Sequence, residues 1–322
     1  MKLSVLAVLY GNLPLSEALP KLKSMGVDTL EIGCGGFPGK AHCDPEILLN
    51  DSAKLEEFKN EFKKNEMEIC ALASHVNAVH PDKKIAEQGD RDLRNAILLA
   101  EKLGIDTVIT FSGCPGGSAE DKTPNWVTCP WPDDFLGILD YQWNEVLIPY
   151  WKKTAAFALE HGVTKIAFEM HPGFCVYNPE TLLRLREAVG DVIGANFDPS
   201  HLIWQGIDPV AAIRALAGAI YHFHAKDTRV DKYNTALNGV LDTKHYGDEL
   251  HRSWIFRTVG YGNDLQYWRD MASALRLAGY DKVMSIEHED SLMTNDEGLS
   301  KAISFMKDVI IESEKPGGMF WA

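Results

Sequence analysis

The sequence has 322 residues, of which 45% are apolar and 24% are charged, the balance of an ordinary globular protein. This composition excludes a disordered chain, a collagen-like repeat and a coiled coil. The 32 Lys and Arg residues are outnumbered by 46 Asp and Glu residues, which gives a net charge of −14. Because so acidic a protein repels phosphate groups, we expect neither nucleic acid nor a membrane surface as a partner.

Short apolar runs recur along the chain, and each is followed by a segment with a helical pattern. Their apolar residues are continuous rather than alternating, which is typical of strands buried on both faces. We predict eight strands, at residues 3–9, 28–33, 68–74, 106–112, 165–170, 192–198, 219–225 and 282–289. Five of the runs follow a Gly-containing helix end, as in MGVDTLEI and AGYDKVMS, where Gly suits the left-handed residue that closes a helix.

Eight strand-plus-helix units predict a (β/α)8 TIM barrel, with residues 1–322 as a single domain. A doubly wound sheet is the alternative, and the absence of a GxGxxG turn after the first strand weighs against it. Two longer segments, 114–135 and 228–264, follow the fourth and seventh strands. We predict that they are extended loops at the face where barrels build their active sites. Their aromatic residues suit stacking on a sugar ring and, equally, contact between two barrels.

The six cysteines form no CxxC pair, so we interpret them as reduced, packed thiols of a cytoplasmic protein. The N-terminal MKLSVLAVLYG lacks a signal-cleavage pattern and is predicted as the first strand. No segment approaches the about 20 apolar residues of a membrane span. The apolar tail, Met319 to Trp321, predicts burial against the barrel or a neighbouring subunit, so a homo-oligomer is an expectation.

The last four predicted strands end in polar residues, in the segments FEMHP, NFDPSH, HFHAKD and SIEHED. Carboxylates and imidazoles in apolar strands are costly to bury unless they are paired or bind a metal. Adjacent barrel strands lie about 4.8 Å apart, so one side chain from each can converge at the mouth. The natural quartet is Glu169, Asp198, His224 and Glu287.

Three carboxylates and one imidazole suit a single divalent cation. We expect Mn²⁺ first, with Mg²⁺, Co²⁺ or Zn²⁺ as alternatives. A divalent cation can stabilise the enediolate that forms when a proton leaves the carbon beside a carbonyl. One carboxylate then removes the proton, and a second on the opposite face returns it. Isomerisation, epimerisation and the first step of elimination from a 3-keto sugar all begin in this way.

The same four strand endings resemble the sugar phosphate isomerase/epimerase family of xylose-isomerase-like TIM barrels. The segments ALASHVNAVHP, VITFSGCPGG and RTVGYGNDLQYWRDMASALRLAGYD extend the resemblance over nearly the whole chain. It implies one divalent metal held by the quartet, with Glu169 and Glu287 also acting as acid and base. It further implies that His201 contacts a substrate oxygen and that Arg229 stands near the position of a substrate-binding Arg.

Other polar residues near the strand ends are candidates for binding substrate oxygens or moving protons. These are Lys226, Arg229, His75, His80 and His171. For His75 and His80 a turn role is an equal alternative. His222 lies on the face of His224 but deeper, and we interpret it as structural.

We therefore predict a metal-dependent isomerase or epimerase of a small carbohydrate. The alternative is a metal-dependent lyase or dehydratase acting on a 3-keto glycoside or an inosose. Two further readings rank below these: an inactive sugar-binding subunit, and a phosphodiesterase like endonuclease IV, which needs more metal ligands and a basic rim. The acidic segment DSLMTNDEG after the eighth strand is a poor phosphate cradle, so we favour an unphosphorylated substrate.

Overall fold

A computed structural model describes residues 1–319 and 321, and eight parallel strands within them close into a barrel. Each barrel strand pairs with the preceding one, and the last pairs with the first. The barrel strands are β1 (Lys2–Leu6), β2 (Thr29–Gly36), β3 (Glu68–His75), β4 (Thr107–Thr110), β5 (Lys165–Glu169), β6 (Ile193–Phe197), β7 (Ile220–Ala225) and β10 (Val283–Ile286). The predicted TIM barrel is confirmed, and all eight strands lie where the apolar runs indicated.

Helices cover the outside of the barrel between successive strands. They are α1 (Leu15–Ser24), α2 (Pro45–Asn50), α3 (Ser52–Lys64), α4 (Lys83–Leu103), α5 (Asp134–Asp140), α6 (Ile148–Glu160), α7 (Pro179–Val189), α8 (Pro199–Trp204), α9 (Pro209–Ala215), α10 (Lys232–Asn238), α11 (Leu265–Leu277) and α12 (Asn295–Lys307). The glycines predicted to close helices before five strands all adopt positive φ: Gly26, Gly104, Gly162, Gly190 and Gly279. None of the helices in the described part of the chain combines the length and apolar character that a membrane crossing requires.

The first apolar run is shorter as a strand than predicted. β1 ends at Leu6, and Ala7–Tyr10 forms a turn of 3₁₀ helix instead of continuing the strand. An apolar run by itself does not distinguish a strand from a short helical turn, which is why the pattern over-extended this element.

The two longer segments differ from each other. Between β4 and α5 the chain forms neither helix nor strand, as predicted, and a turn of π-helix at Tyr141–Leu147 then joins α5 to α6. The second extended segment lies after the seventh barrel strand as predicted, but it contains secondary structure of its own. After β7 the chain forms two antiparallel strands, β8 (Asp227–Val230) and β9 (Trp254–Arg257), with α10 between them.

The buried carboxylate of Asp227 anchors this insertion as it returns to the barrel. One of its oxygens accepts hydrogen bonds from the backbone N–H groups of Gly260, Gly262 and Asn263, at 2.9, 3.1 and 3.0 Å. A Cβ at position 262 would lie 2.5 Å from this carboxylate, so only glycine fits there. The insertion is therefore fixed against the barrel mouth.

The C-terminal tail departs from its prediction of burial within the chain. Met319 and Trp321 are 64% and 71% exposed, and Phe320 lies outside the described residues. Chain-terminal segments pack only where other elements leave a matching apolar surface. Burial against a neighbouring subunit stays a prediction.

Candidate active site

The four residues of the predicted quartet lie together at the mouth of the barrel. Glu169 is the last residue of β5, Asp198 follows β6, His224 belongs to β7 and Glu287 follows β10. One potential ligand atom from each lies within 4.8 Å of the others. Asp198 and His224 are fully buried, and Glu169 is 3% exposed.

Local sequence explains why Asp198 presents a free oxygen to this cluster. Asp198 caps the N-terminus of α8, where Pro199 occupies the first helical position. Its Oδ1 accepts a hydrogen bond from the backbone N–H of Ser200 at 2.8 Å. Its Oδ2 is buried and accepts no hydrogen bond from the described residues, so it faces the other carboxylates unpaired.

The quartet fits a divalent cation. Besides Asp198 Oδ2, His224 Nδ1 and Glu287 Oε2 are buried and form no well-aligned hydrogen bond within the described residues, although these two atoms lie 2.9 Å apart. Buried polar atoms normally have hydrogen-bond partners. Three potential ligand atoms that lack such partners and converge on one point are what a metal site requires. Three carboxylates at this spacing also repel each other unless positive charge lies between them.

Glu31 in β2 is a buried residue that the sequence analysis missed. Its Oε2 lies 2.9 Å from Nε2 of His224 and 2.9 Å from Nε2 of His222, and it accepts a hydrogen bond from Ser285 at 3.0 Å. Burial would raise the pKa of Glu31, but the two imidazoles outweigh burial and hold that pKa below its ordinary value. His224 can therefore donate through Nε2 to Glu31 while its Nδ1 faces the cluster.

Two imidazoles hold the carboxylate of Glu169. His75 Nε2 lies 2.9 Å from Oε2 and His201 Nε2 lies 2.9 Å from Oε1. Burial alone would raise the pKa of Glu169, but these hydrogen bonds hold it well below its ordinary value. The structure thus brings both predicted histidines against a quartet member, with His201 also 3.3 Å from Asp198.

Lys226 supplies positive charge beside Glu287. Its buried ammonium lies 2.7 Å from Glu289 and 3.4 Å from Glu287, and 4.4 Å from the ring centre of Phe256. Burial would raise the pKa of Glu287, yet Lys226 and His224 lower it to about 2. Asp198 behaves in the opposite way, because its burial dominates and raises its pKa to about 6.

His171 lines the same cavity as a neutral imidazole. Burial, together with the charge of His201, lowers the pKa of His171 to about 3. Its Nδ1–H donates to the carbonyl oxygen of Pro172, which leaves Nε2 as an acceptor. The structure therefore places His171 where it was predicted, beside the quartet.

Two candidate residues, Arg229 and His80, do not line the cavity, and His222 lies deeper, in agreement with its structural interpretation. Arg229 is exposed on β8 and donates to the carbonyl oxygen of Gly262 at 3.0 Å. It does not line the cavity, because the chain after β7 forms an outer strand that turns this side chain away from the mouth. His80 serves a turn by accepting from the Asp82 N–H, and His222 is occupied by Glu31.

The cluster opens into a cavity of about 740 Å³. Its polar floor contains His75, Glu169, His171, Lys226 and Glu287, and its upper part is mainly aromatic and aliphatic. The remaining lining residues are Leu6, Val8, Phe37, Pro38, Phe111, Phe174, Tyr246, Ile255, Phe256, Glu289, Asp290 and Ser291. Mostly apolar walls with a few convergent polar groups are typical of a small-molecule site.

Residues 19–309 match the family described as xylose isomerase-like TIM barrel. The chain belongs to this family. The uncharacterized protein YfiH of Bacillus subtilis (strain 168) is 42% identical over 313 residues, which cover 96% of this chain and 99% of that relative. The similarity to this relative therefore extends over nearly the whole chain.

Two solved structures share the fold. The IolI protein, crystallised with a bound zinc atom, has a TM-score of 0.66 at 21% identity and covers 96% of this chain and 98% of its own. A D-tagatose 3-epimerase-like protein has a TM-score of 0.63, also at 21% identity, with the same coverage of the two chains. At this identity the similarity concerns the xylose isomerase-like fold alone.

Proposed function

We propose that the protein is a divalent-metal-dependent isomerase or epimerase of an uncharged sugar or keto-sugar. The observation that carries this proposal is the convergence of the quartet's potential ligand atoms, three of them without a well-aligned hydrogen bond, at the floor of a ligand-sized cavity. Glu169, Asp198, His224 and Glu287 would hold the cation, with Mn²⁺ as our first candidate. The zinc atom of the structurally similar IolI protein is consistent with a metal in this fold.

The bound cation would supply the positive charge that stabilises an enediolate. The chain's own residues supply the proton transfer. Glu169 and Glu287 come from strands β5 and β10, with carboxylates kept ionised by His75, His201 and Lys226. We assign one ionised carboxylate as the base that removes the proton beside the carbonyl. In isomerisation the same carboxyl group returns this proton to the neighbouring carbon, and in epimerisation the other carboxylate first takes a proton from solvent and then delivers it to the opposite face.

The remaining floor residues bind and orient the sugar. Lys226 can donate to a substrate oxygen, and Nε2 of His171 can accept from a hydroxyl. His75 and His201 hold Glu169 in a fixed orientation through its two oxygens, and their positions beside the cavity floor suit contact with substrate. Such pre-organisation reduces the reorientation that proton transfer would otherwise need.

Proton NMR in D₂O tests this function directly. The Mn²⁺-loaded protein is incubated with a panel of keto sugars and 3-keto glycosides, and we expect deuterium to enter at a carbon beside the carbonyl. Glu169→Gln and Glu287→Gln should each abolish this exchange, while Glu68→Gln, an exposed carboxylate on β3, should leave it unchanged. Exchange that persists in both site variants would overturn the assigned bases.

The product identifies the reaction. Deuterium at a new carbon with a moved carbonyl means isomerisation, and inversion at the exchanging carbon means epimerisation. Loss of water or of an aglycone after exchange would instead assign the chain as a lyase or dehydratase. Stoichiometric metal without exchange of any substrate would contradict the proposed function and favour a sugar-binding role.

Two attributes of the whole protein stay predictions. All six cysteines are free thiols, which agrees with the proposed cytoplasmic location. A homo-oligomer is proposed from the exposed apolar side chains of Met319 and Trp321. A small carbohydrate is the partner that the acidic, aromatic cavity suits.

A further inference from the structure

An aromatic wall rises from one side of the cavity floor. It consists of Phe37 after β2, Phe111 after β4 and Phe174 after β5. The rings of Phe111 and Phe174 are stacked with centres 4.2 Å apart, and Phe37 lies 5.9 Å from Phe111. Phe111 in turn lies 4.6 Å from the ring of His75, which contacts Glu169. This first wall therefore runs without a break from the quartet to the rim, where Phe37 is 75% exposed.

A second aromatic wall belongs to the insertion after β7. Phe256 and Tyr246 are stacked with ring centres 5.9 Å apart, and Phe256 covers Lys226 at the floor. In a closed ring of eight strands, β7 lies four strands from β3, which the Phe37 and Phe111 loops flank. Phe37 and Phe111 of the first wall consequently come from the side of the barrel opposite the second wall, where Tyr246 is 54% exposed at the rim.

The space between the walls is larger than one sugar needs. Cavities of about 300–1,000 Å³ hold drug-sized ligands, and this one measures about 740 Å³. A six-carbon sugar whose carbonyl reaches the quartet occupies only the polar floor. Exposed apolar patches mark binding sites for a partner or a ligand, and the position of Phe37 and Tyr246 in the lining of the cavity favours a ligand.

The charge of the lining restricts what can lie between the walls. Four carboxylates line the cavity, those of Glu169, Glu287, Glu289 and Asp290. Among the described residues Lys226 is the one Lys or Arg that lines it, and two of those carboxylates already pair with it. Asp290 is paired with Arg257, so a phosphate or carboxylate in the upper cavity would meet chiefly Glu287 and Glu289 with Lys226 already engaged by them, and would be repelled.

We propose that the substrate is an uncharged keto-glycoside, in which the reacting keto sugar carries a second ring that stacks between the two aromatic walls. The assignment of the reacting sugar depends on the proposed function, whereas the assignment of the second ring depends on the two aromatic walls alone. Flat apolar faces are common to a pyranose and to an aryl ring, and either can stack on Phe37 and Tyr246. The substrate is then a disaccharide or an aryl glycoside.

Calorimetric titration of the full-length Mn²⁺-loaded protein tests the second ring without relying on catalysis. The probes are matched sets of methyl glycosides, 4-nitrophenyl glycosides and disaccharides that share the same reacting sugar, tested for several sugars. We expect the ring-bearing members to bind about tenfold more tightly than the methyl glycoside. A 4-carboxyphenyl glycoside should lose most of this gain, because its charge meets the acidic lining.

Substitutions in the two walls test which residues bind the second ring. Phe37→Ala and Tyr246→Ala should each reduce the ratio of the affinity for ring-bearing probes to that for the methyl glycoside, and the double variant should bring this ratio to about one. Tyr233→Ala removes a ring that is 74% exposed on α10 and does not line the cavity, so it should keep the full preference. Selectivity between aryl glycosides and disaccharides then identifies the source of the second ring.

The outcomes separate this inference from the proposed function. Equal affinity for methyl and ring-bearing probes, or no binding of any ring-bearing probe, overturns the glycoside assignment even if free keto sugars exchange deuterium. A preference that survives the double variant also overturns it. A preference that depends on Phe37 and Tyr246, without proton exchange in any sugar, supports the glycoside site and contradicts the isomerase proposal.

Discussion

Glu31 lies beneath the quartet and contacts one of its members, His224. A histidine can present either ring nitrogen to a metal, and the partner of the other nitrogen decides which one does so. The carboxylate of Glu31 accepts from Nε2 of both His224 and His222. This arrangement leaves Nδ1 of His224 directed at Glu287, 2.9 Å away.

We predict that Glu31→Gln weakens Mn²⁺ binding by about 10- to 100-fold, the range typical for partners of metal-binding histidines. The amide loses the negative charge that orients and polarises His224. Titration calorimetry or the EPR signal of free Mn²⁺ measures the change, and Glu68→Gln serves as the control. Unchanged Mn²⁺ affinity in a folded Glu31→Gln protein would show that His224 does not bind the cation through Nδ1.

For single residues, the sequence identifies functional side chains at the ends of strands more readily than those inside strands. The quartet was recognisable because each member interrupts or ends an apolar run. Glu31 was equally visible as a charge inside DTLEIG, but its histidine partners are 191 and 193 residues away along the chain. Arg229 was misplaced for a related reason, because its direction depends on the strand β8 that no local pattern indicated.

Among the elements, the insertion after β7 changes the interpretation most. Its aromatic residues were predicted to belong to a loop, whereas β8 and β9 hold Phe256 rigidly above Lys226. The two strands have four residues each and are separated by a helix and an irregular stretch. Hairpins are predicted from a short turn sequence between two strands, and no such turn joins β8 to β9. Their pairing is therefore set by tertiary contacts.

Asp290 connects the end of this insertion to the loop after β10. Its buried carboxylate accepts from the backbone N–H of Thr258 at 2.7 Å, from the Arg257 guanidinium at 3.1 Å and from the N–H of Leu292 at 2.8 Å. Burial would raise the pKa of Asp290, but these donors outweigh it and hold that pKa below its ordinary value. The ionised form is therefore favoured by folding.

We predict that Asp290→Asn destabilises the protein by about 1–3 kcal/mol at pH 7, because charged hydrogen bonds are weakened and one donor is left unpaired. A carboxyl group with a lowered folded pKa stabilises the native state above its unfolded pKa, and the effect is lost as the pH falls through the folded value. The difference from wild type should thus be constant above about pH 5 and shrink below about pH 4.

Urea unfolding at a series of pH values measures this difference. Asp134→Asn, which alters an exposed carboxylate, should stay close to wild type throughout. A destabilisation by Asp290→Asn that is equal at pH 7 and at pH 3.5 would mean that the charge of Asp290 plays no part and that shape alone accounts for the loss.

For the whole molecule, closure of the barrel is what turns separate strand ends into one site. The eight apolar runs predict the strands and their order, because consecutive units of this kind have essentially one way to close. Closure then brings residues from β5 and β10 to the same point, although 118 positions separate Glu169 and Glu287 in the chain. The opposed aromatic walls were beyond sequence analysis, since facing pairs depend on loop conformations.

Because four strands of the barrel supply the quartet, a bound cation should stabilise the whole fold. Removing the cation leaves three buried carboxylates facing one another, and within the described residues Lys226 and the imidazoles of His75, His201 and His224 then offset their repulsion. We predict that Mn²⁺ at about 100 times its Kd adds about 2.7 kcal/mol to the free energy of unfolding, a value fixed by linkage to the native state alone. Melting curves of EDTA-treated and Mn²⁺-loaded protein should therefore separate. Glu287→Gln should reduce the separation while Glu68→Gln keeps it, and melting curves that coincide at saturating Mn²⁺ would contradict a cation held by these strands.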